Sequence, residues 1–213
     1  YYSWMWKRAR GFFDVVAYTG TGSATTIGHN LSAVPEMIWV KSRNKATDWA
    51  VYHKDLSAGQ YVMLNKTNAV DTNSAYFTTT APTSSVFSIG VGEYTNQSSS
   101  YTYIAMLFAS VAGVSFVGSY DGNGSNQNIE CGFSSGARFI LIKSKQSGSW
   151  YVFDTVRGIV AGNDSHLRLD TDAAEAYADS IDTYSGGFNV VQNSTTDLNK
   201  GPSDESYIFY AIA

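Results

Sequence analysis

The chain has little of several residue types that usually indicate a particular chemistry. It has one cysteine, Cys131, and three histidines in 213 residues, so it cannot form an internal disulfide and offers no zinc-ligand spacing. Only 15% of its residues are charged, against roughly 25% in an average soluble domain. The formal net charge is -4, and non-specific nucleic-acid binding depends on a surplus of positive charge. We therefore expect no nucleic-acid partner, no metal and no cofactor.

Long apolar runs are also missing. No run approaches the roughly 18 residues that a membrane-spanning helix needs, and no charged-then-apolar leader opens the sequence, so we expect no membrane insertion. The abundant residues are Ser, Thr and Asn, which number 58, together with 11 Phe, 5 Trp and 15 Tyr. Small neutral polar residues between aromatic runs are typical of strands joined by many turns.

The sequence contains an internal repeat, which constrains the architecture before any single motif does. Tyr18–Ser23 recurs 102 residues later as Tyr120–Ser125, and the same spacing pairs apolar and polar positions without a gap as far as Ser42 and Ser144. Beyond that point the spacing drifts by one or two residues, which indicates loop insertions between matched strands. The later matches are Trp49–Tyr52 with Trp150–Phe153, and Tyr103–Ala109 with Tyr207–Ala213.

The repeat divides the chain into three parts. Residues 12–110 and 111–213 are predicted to be two β-sandwich repeats, each near the usual sandwich size. The spacing also extends backwards, so residues 1–11 resemble the terminal strand of a preceding unit or an N-terminal extension. The boundary at Ala109–Val114 is mostly apolar rather than a flexible linker, so we expect the two repeats to dock closely. The chain does not begin with Met, and we expect it to belong to a longer protein.

Period-two patterns and short apolar runs bounded by Gly, Ser, Asn and Thr predict an all-β fold. We expect about seven strands per repeat, arranged as two tandem antiparallel β-sandwiches with jelly-roll-like topology. Met37–Lys41 is predicted to be a central strand. Phe12–Tyr18 and Thr25–His29 are predicted to form a hairpin through a glycine-rich turn. Only Asp172–Asp179 has a helical composition, enough for one or two turns.

Several runs resemble a β-rich tandem-repeat domain family of marine tailed-phage virion proteins, including tail-fibre-like proteins. These runs are Trp6–Tyr18, Pro35–Lys41, Arg157–Asp164 and Tyr207–Ala213. The family has no established catalytic residues. The resemblance implies a non-enzymatic structural module of a tail fibre or similar appendage on the virion exterior. It also implies other virion proteins as partners, a homo-oligomer with three copies as the expected number, and contact with a host-surface glycan.

Three motifs imitate catalytic or metal sites. Gly132–Gly136 fits the G-x-S-x-G nucleophile elbow, but a strand rather than a helix is predicted to follow it. Asp121–Ser125 imitates the first half of a calcium loop, but Gly132 stands where the bidentate Glu should be, and a hairpin turn explains it. The carboxylates of Asp164–Asp182 would suit a glycosidase only if two of them faced each other. We expect a solvated loop there, and no catalytic or metal-binding residues.

Aromatic side chains in predicted loops are the best candidates for contact with a glycan or protein, since their faces stack on sugars as well as filling cores. These candidates are Tyr76, Phe77, Tyr94, Tyr177 and Tyr184, among which Tyr76 and Tyr177 occupy equivalent places in the repeat. Two other functions remain open at this point. One is a carbohydrate-binding module of a secreted protein, and the other is a polysaccharide depolymerase that uses the carboxylates named above.

Overall fold

The computed structural model describes residues 4–192, 195–201 and 205–213. All regular secondary structure in these ranges is β-strand, and every strand pair is antiparallel. The prediction of an all-β, antiparallel sandwich fold is confirmed. Within the described ranges, no helix is long and apolar enough to cross a membrane. The chain forms two compact units, of which unit 1 is Tyr1–Met63 with Asp71–Ser110, and unit 2 is Leu64–Val70 with Val111–Ala213.

Unit 1 is a sandwich of a large and a small sheet. The large sheet has the strand order β1-β8-β3-β4-β5-β6, and the small sheet pairs β2 with β7. The strands are β1 Phe13–Thr19, β2 Thr25–Gly28, β3 Met37–Ser42, β4 Ala50–His53, β5 Gln60–Met63, β6 Asp71–Thr72, β7 Val86–Ile89 and β8 Thr102–Phe108.

Unit 2 repeats this plan with one extra strand in the small sheet. The large sheet has the order β14-β13-β12-β11-β17-β9, and the small sheet has the order β10-β16-β15. The strands are β9 Ser115–Asp121, β10 Gln127–Glu130, β11 Phe139–Ser144, β12 Trp150–Asp154, β13 Asp164–Arg168, β14 Ala176–Ala178, β15 Ile181–Tyr184, β16 Gly187–Val190 and β17 Ser206–Ile212.

Alternating side chains form the core between the two sheets of each unit, because successive residues of a strand point to opposite faces. In unit 1, Ile38 of β3 and Leu107 of β8 share a buried cluster with Phe87 of β7. In unit 2, Phe188 of β16 meets Phe209 of β17 edge to face, with ring centroids 5.2 Å apart. Each such side chain contributes about 1.5–3 kcal/mol when fully buried.

The predicted hairpin between the first two strands is wrong. Strand β1 pairs with β8, with Phe13 opposite Phe108, and β2 pairs with β7 across the other sheet. In the same way β9 pairs with β17 and β10 with β16, so the glycine-rich segment at Asp121–Ser125 is a crossing between sheets rather than a hairpin turn. Its second glycine, Gly124, has φ +72°, a conformation that L residues rarely adopt.

The predicted helical turn at Asp172–Asp179 is also wrong. Ala176–Ala178 forms strand β14, in which Ala178 lies opposite Asp164 of β13. Helix propensity is a weak preference, and here pairing with a neighbouring strand overrides it.

The start of the described chain is not a strand at residues 4–8. Trp6 instead packs edge-on against Trp39 and Phe108 of unit 1, with ring centroids 6.2 Å and 6.1 Å away. A tight turn follows, in which Ala9 bridges to Phe13. Unit 2 begins with the same turn, in which Val111 bridges to Ser115, so the repeat extends to these positions.

A buried asparagine ties three loop segments together at one end of unit 1. Asn96 is fully buried, and its carboxamide oxygen accepts a hydrogen bond from the amide of Thr21 at 2.6 Å. Its amide nitrogen donates to the carbonyl oxygens of Ser23 at 2.7 Å and Gly90 at 3.0 Å. A buried polar group is costly unless it is hydrogen-bonded, and here one side chain satisfies several backbone groups at once.

Asn199 does the same in unit 2. It is also fully buried, accepts from the amide of Asn123 at 3.0 Å, and donates to the carbonyl oxygens of Ser125 at 2.5 Å and Val190 at 3.5 Å. We refer to Asn96 and Asn199, each with these backbone partners, as the asparagine anchors.

Two stacked tyrosines support each anchor. The rings of Tyr18 and Tyr103 lie 5.3 Å apart in unit 1, and those of Tyr120 and Tyr207 lie 4.9 Å apart in unit 2. The hydroxyls of Tyr18 and Tyr120 each donate to the carbonyl of the residue that precedes the anchoring asparagine, at 2.7 Å and 2.8 Å. Both units therefore hold the loop before the last strand by the same hydrogen bonds.

Unit 2 includes Leu64–Val70, a segment that the sequence repeat placed in the first repeat, residues 12–110. The carbonyl of Thr67, within Leu64–Val70, accepts from the amide of Gly148 at 2.8 Å, and the amide of Val70 donates to Lys145 at 2.8 Å. Lys143 is fully buried beside it, and its ammonium donates to the carbonyl of Gly148 at 2.8 Å. Burial lowers the pKa of Lys143 to about 8, because desolvation disfavours the charged form.

Candidate functional site

The five aromatic candidates divide between the two units. Tyr76, Phe77 and Tyr94 belong to unit 1, and Tyr177 and Tyr184 belong to unit 2. Phe77 is only 3% exposed and is part of the buried core of unit 1, so its side chain serves packing.

Tyr76 and Tyr94 form a cluster with a third tyrosine that sequence reasoning did not select. The ring of Tyr76 lies 4.7 Å from that of Tyr94 and 4.8 Å from that of Tyr61. The hydroxyl of Tyr61 donates to the carboxylate of Asp71 at 2.9 Å. Gly92 packs directly on Tyr76, since a Cβ there would lie 2.3 Å from the ring. Tyr61 belongs to the core of unit 1, and Tyr76 and Tyr94 pack against that core. Burial raises the pKa of Tyr94 to about 12.

Tyr177 lies on β14, at the edge of the large sheet, and is 64% exposed. Its hydroxyl donates to Glu175 at 3.1 Å. By strand pairing, β14 corresponds to β6, so Tyr177 corresponds to Thr72. The predicted equivalence of Tyr76 and Tyr177 is therefore wrong. It assumed a constant spacing, but the loops between matched strands differ in length in the two units.

Tyr184 lines a cleft in unit 2 of about 280 Å³, which we call the Tyr184 cleft. Ala137, Ile159 and Phe188 supply apolar surface, and the polar lining includes Arg138 and Asp182. Hydroxyl groups come from Ser135, Thr155, Thr183 and Ser185. An apolar surface with a few convergent polar groups is the usual composition of a small-molecule site.

Glycines allow the cleft to form beside Tyr184. Gly136 has φ +79°, and a Cβ there would lie 2.9 Å from the Tyr184 carbonyl oxygen. A Cβ on Gly186 would lie 2.8 Å from the Tyr184 ring and 2.5 Å from the carboxylate of Glu130. The Tyr184 hydroxyl donates a hydrogen bond to that carboxylate, which raises the pKa of Tyr184. The half-buried ring is thus held in place by Glu130 and Gly186.

The cleft carries one cation and one anion. The backbone amide of Arg138 donates to Ile212 at 2.7 Å, which places Arg138 directly before β11. Its side chain is exposed, and among the described residues its guanidinium has neither a hydrogen bond nor an ion pair. Asp182 of β15 accepts from the amide of Gly162 at 3.3 Å through one carboxylate oxygen. Within the described ranges, its other oxygen accepts no hydrogen bond.

Unit 1 lacks this chemistry at the matching positions. Glu36 stands at the position of Arg138, and its carboxylate accepts a hydrogen bond from the amide of Ser110 at 2.7 Å. Bulkier residues also replace the glycines that border Tyr184. The matched pairs are Thr83 for Tyr184, Ser85 for Gly186, Val34 for Gly136 and Glu36 for Arg138.

Sequence reasoning did not select Arg138, and it considered Asp182 only among the carboxylates of Asp164–Asp182. Both line the cleft because three separate segments border it, at residues 135–138, 155–159 and 182–188. One signal was present, since Gly186-Gly187 replaces Ser85-Val86 of the first repeat. Glycine inside a strand pattern often marks a place where a ligand or another backbone approaches closely.

The imitated motifs have structural roles. Gly132–Gly136 is the loop before β11, with no helix after it, as predicted. Asn123 uses its side chain to accept from the amide of Ser125 at 2.8 Å, and Asp121 accepts from the hydroxyl of Ser206 at 2.6 Å. In the described part of the chain, no group of three or more His, Cys, Asp or Glu could hold a metal ion.

Three carboxylates within Asp164–Asp182, those of Asp164, Asp170 and Asp182, accept hydrogen bonds from backbone amides. Asp164 is fully buried and accepts from the amides of Val160, Ser180 and Ile181 at 2.8–3.1 Å. Burial raises its pKa to about 6, although these hydrogen bonds oppose the shift. Asp170 accepts from the Trp150 amide at 2.8 Å.

The chain was compared with protein-family models, with curated proteins and with solved structures. The family model described as "Domain of unknown function (DUF7483)" matches residues 3–213. No curated protein and no solved structure matches the chain.

Proposed function

We propose that this chain, which belongs to the DUF7483 family, is a non-enzymatic structural module of a phage virion. In this proposal it forms part of a tail fibre or similar appendage on the particle exterior, in contact with other virion proteins. It assembles as a homo-oligomer, with three copies expected, and unit 2 contributes to recognition of a glycan on the host surface.

The observation that carries the proposal is the duplicated asparagine anchor. Asn96 and Asn199 are each fully buried and hydrogen-bonded to three backbone groups in two other segments. Buried networks in which every polar group is satisfied rigidify a structure. Two units with the same internal ties suit a module that must keep its shape as a spacer or platform. The resemblance of four sequence runs to phage virion proteins supplies the biological setting.

The carboxylates support a non-enzymatic role. A glycosidase directs one carboxyl group at the leaving oxygen and a second at the sugar or at water. Asp164 and Asp170 instead accept hydrogen bonds from three and one backbone amides, and Asp182 accepts from Gly162. Their principal partners are loop backbones, which favours a structural role over the depolymerase alternative.

Electron microscopy of purified particles tests the proposal directly. Antibodies against this chain should label an appendage, and mass spectrometry of the same particles should find its peptides. Light scattering of the 213-residue chain should give a mass of several chains, with three copies expected. A monomer in solution, together with absence from the particles, would overturn the proposal.

An activity assay tests the non-enzymatic part. Host capsule or lipopolysaccharide incubated with the chain should release no reducing ends. Release that the substitution Asp170→Asn abolishes would establish the depolymerase instead.

The Tyr184 cleft also suits a second function, a carbohydrate-binding module of a secreted protein. The observation in favour is that apolar surface from Ala137, Ile159 and Phe188 lines the same cleft as Arg138 and Asp182. Particle labelling separates the two, because a secreted module would be found in culture supernatant and not on the virion.

A further inference from the structure

We propose that unit 1 binds a phosphoryl group, as inorganic phosphate or as the end of a phosphate ester, at a cleft beside Arg8. This cleft has a volume of about 220 Å³ and lies wholly within unit 1, and we call it the Arg8 cleft. The inference goes beyond the proposed function, which places recognition in unit 2, and does not depend on it. The lining residues are Arg8, Ala9, Arg10, Phe13, Asp14 and Asn30.

A buried carboxylate fixes the guanidinium of Arg8. The side chain of Asp14 is only 3% exposed, and its Oδ1 atom accepts a hydrogen bond from Arg8 Nε at 2.7 Å and lies 2.5 Å from Arg8 Nη2. Its Oδ2 atom accepts from the backbone amide of Asn30 at 2.8 Å, so both carboxylate oxygens are held. A guanidinium is planar and its donors form a rigid fork, so holding one edge sets the direction of the others.

The far side of that guanidinium is open to solvent. The side chain of Arg8 is 58% exposed although its partner is buried, and within the described ranges its Nη1 atom has neither a hydrogen bond nor an ion pair. Arginine is the side chain best suited to bind two oxygens of a phosphate or carboxylate at once. Because Asp14 already orders Arg8, little side-chain freedom is lost when an oxyanion binds.

Positive charge is concentrated at this cleft. Lys7, Arg8 and Arg10 supply three cations within four positions, although the whole chain has a net charge of -4. Between residues 7 and 14 only Asp14 opposes them, and three cations less one carboxylate leave a net charge of +2.

This charge selects the class of anion. Arg10 is exposed and has no ion pair in the part of the chain that the structure describes, so its flexible side chain can join Arg8 on one ligand. A phosphoryl group carries nearly two negative charges at neutral pH and has three strong acceptor oxygens. It therefore matches two arginines better than a carboxylate does, which has one charge and two oxygens.

Unit 2 shows that the turn before the first strand does not need these charges. Val111 bridges to Ser115 there as Ala9 bridges to Phe13 in unit 1, but the ion pair is missing. Since a buried carboxylate is costly and the turn forms without one, we attribute Asp14 to the guanidinium that it orients. The matched pairs are Ser110 for Arg8, Ala112 for Arg10, Phe116 for Asp14 and Gly132 for Asn30.

Titrations followed by two-dimensional amide NMR spectra of the 213-residue chain test the inference at neutral pH and low salt. The probes are inorganic phosphate, glucose 6-phosphate, glucose and acetate, each up to millimolar concentration. Both phosphates should shift the amide signals of residues 8–14 and of Asn30, and glucose should shift none of them. Binding of neither phosphate, shifts confined to other residues, or acetate binding as tightly as phosphate would overturn the inference.

The two phosphates also distinguish the source of the group. Tighter binding of glucose 6-phosphate would support the site and identify a sugar phosphate as its ligand. Equal binding would support the site and show that the phosphoryl group alone is recognised.

Matched variants locate the site. Arg10→Gln should weaken phosphate binding about threefold, as expected for an exposed charge. Arg8→Gln combined with Asp14→Asn removes the oriented guanidinium without leaving a buried carboxylate unpaired, and should weaken binding about tenfold or more. Arg43→Gln, which removes an exposed arginine directly after β3, should leave binding unchanged.

Thermal unfolding establishes that each variant is folded. Full binding by the folded double variant would overturn the inference. Unchanged binding by Arg10→Gln would also overturn it, and this test stands even if the double variant does not fold, because Arg10 is exposed.

Discussion

Units 1 and 2 share the hydrogen bonds that hold their loops but differ in the residues around Tyr184. The anchors Asn96 and Asn199 make equivalent hydrogen bonds, as do the stacked tyrosine pairs beside them. The surroundings of Tyr184 have no counterpart in unit 1, where Thr83 and Ser85 stand at the corresponding positions. The comparison teaches that positions that hold loops to the sandwich stay the same, whereas loop residues that face outward are free to acquire a binding role.

The strands differ too, at one matched position on the inner face. Tyr61 of β5 reaches Asp71 on the next strand with its hydroxyl. His166 of β13 occupies the same place in unit 2, opposite Ala176, and lies 5.3 Å from the ring of Tyr151. Burial lowers the pKa of His166, so unit 2 has a titratable group where unit 1 has a neutral phenol.

The largest expected effect tests whether the two asparagine anchors contribute equally to stability. Asn96→Ala and Asn199→Ala each leave several backbone groups without a partner, and each should lower the free energy of unfolding by about 3 kcal/mol. Urea unfolding followed by tryptophan fluorescence measures both.

Asn68→Ala is the control for the anchor variants, since Asn68 is exposed and its loss should change stability by less than about 0.5 kcal/mol. A large loss at one anchor and none at the other would contradict their equivalence.

The second prediction compares the matched lysines. Lys143 is fully buried and donates to the carbonyls of Gly148 and Gln146, whereas half-buried Lys41 donates to Thr47. Lys143→Met should cost about 2 kcal/mol and Lys41→Met about 1 kcal/mol, as measured by urea unfolding. Equal costs would show that burial of the ammonium does not distinguish the units.

Lys143 also has a pH signature. Its pKa is about 8 when folded, below the ordinary 10.5, so the unfolded state binds more protons between these values. Its contribution to stability is present above pH 10.5 and is lost as pH falls through 8. The stability difference between the wild type and Lys143→Met should therefore increase from pH 8 to 10.5.

A smaller effect is expected at Tyr61. Tyr61→Phe removes the hydrogen bond to Asp71 and should cost about 1 kcal/mol. Tyr52→Phe is the matched control, because Tyr52 is half-buried in the same unit, and it should cost less than about 0.5 kcal/mol. Thermal unfolding of both variants measures the two losses of stability. Equal losses would show that the hydrogen bond to Asp71 does not stabilise the protein.

The smallest net effect is expected when the pH is lowered, because protonation of Asp164 and of His166 changes the free energy of unfolding in opposite directions. The pKa of Asp164 is raised to about 6 from 3.8, so its contribution is present below pH 3.8 and is lost as pH rises through 6. The pKa of His166 is lowered from 6.5, so its contribution is present above pH 6.5 and is lost as pH falls.

Single variants separate these two groups. Relative to the wild type, Asp164→Asn should make stability rise more steeply with pH between 4 and 6.5, and His166→Phe should make it rise less. Urea unfolding at a series of pH values measures the slopes. Unchanged slopes in both variants would contradict the shifts.

Local patterns predicted strands well and strand partners poorly. Period-two runs and the repeat indicated the all-β sandwich and its central strand, observed as Met37–Ser42. The glycine turn after β1 suggested a hairpin, but β1 pairs with β8, some ninety residues away. Such pairing is decided by burial against the rest of the unit, which a turn motif does not report.

The candidate site was predictable only in part. A predicted loop position was enough to select Tyr184, which ends strand β15, but the same rule selected Phe77, which is a core residue. No local pattern assigns Arg138 and Asp182 to one cleft, because that depends on how β11 and β15 are placed. Spatial convergence of distant segments is what sequence inspection alone could not supply.

The assignment of Leu64–Val70 to unit 2 has a consequence for how such chains evolve. Recombination that exchanged residues 111–213 as one cassette would leave behind Thr67, whose carbonyl accepts from Gly148, and Val70, whose amide donates to Lys145. The incoming cassette would be stable only with a host segment that makes the same bonds. The two repeats are therefore expected to be inherited and exchanged as a pair, and not one at a time.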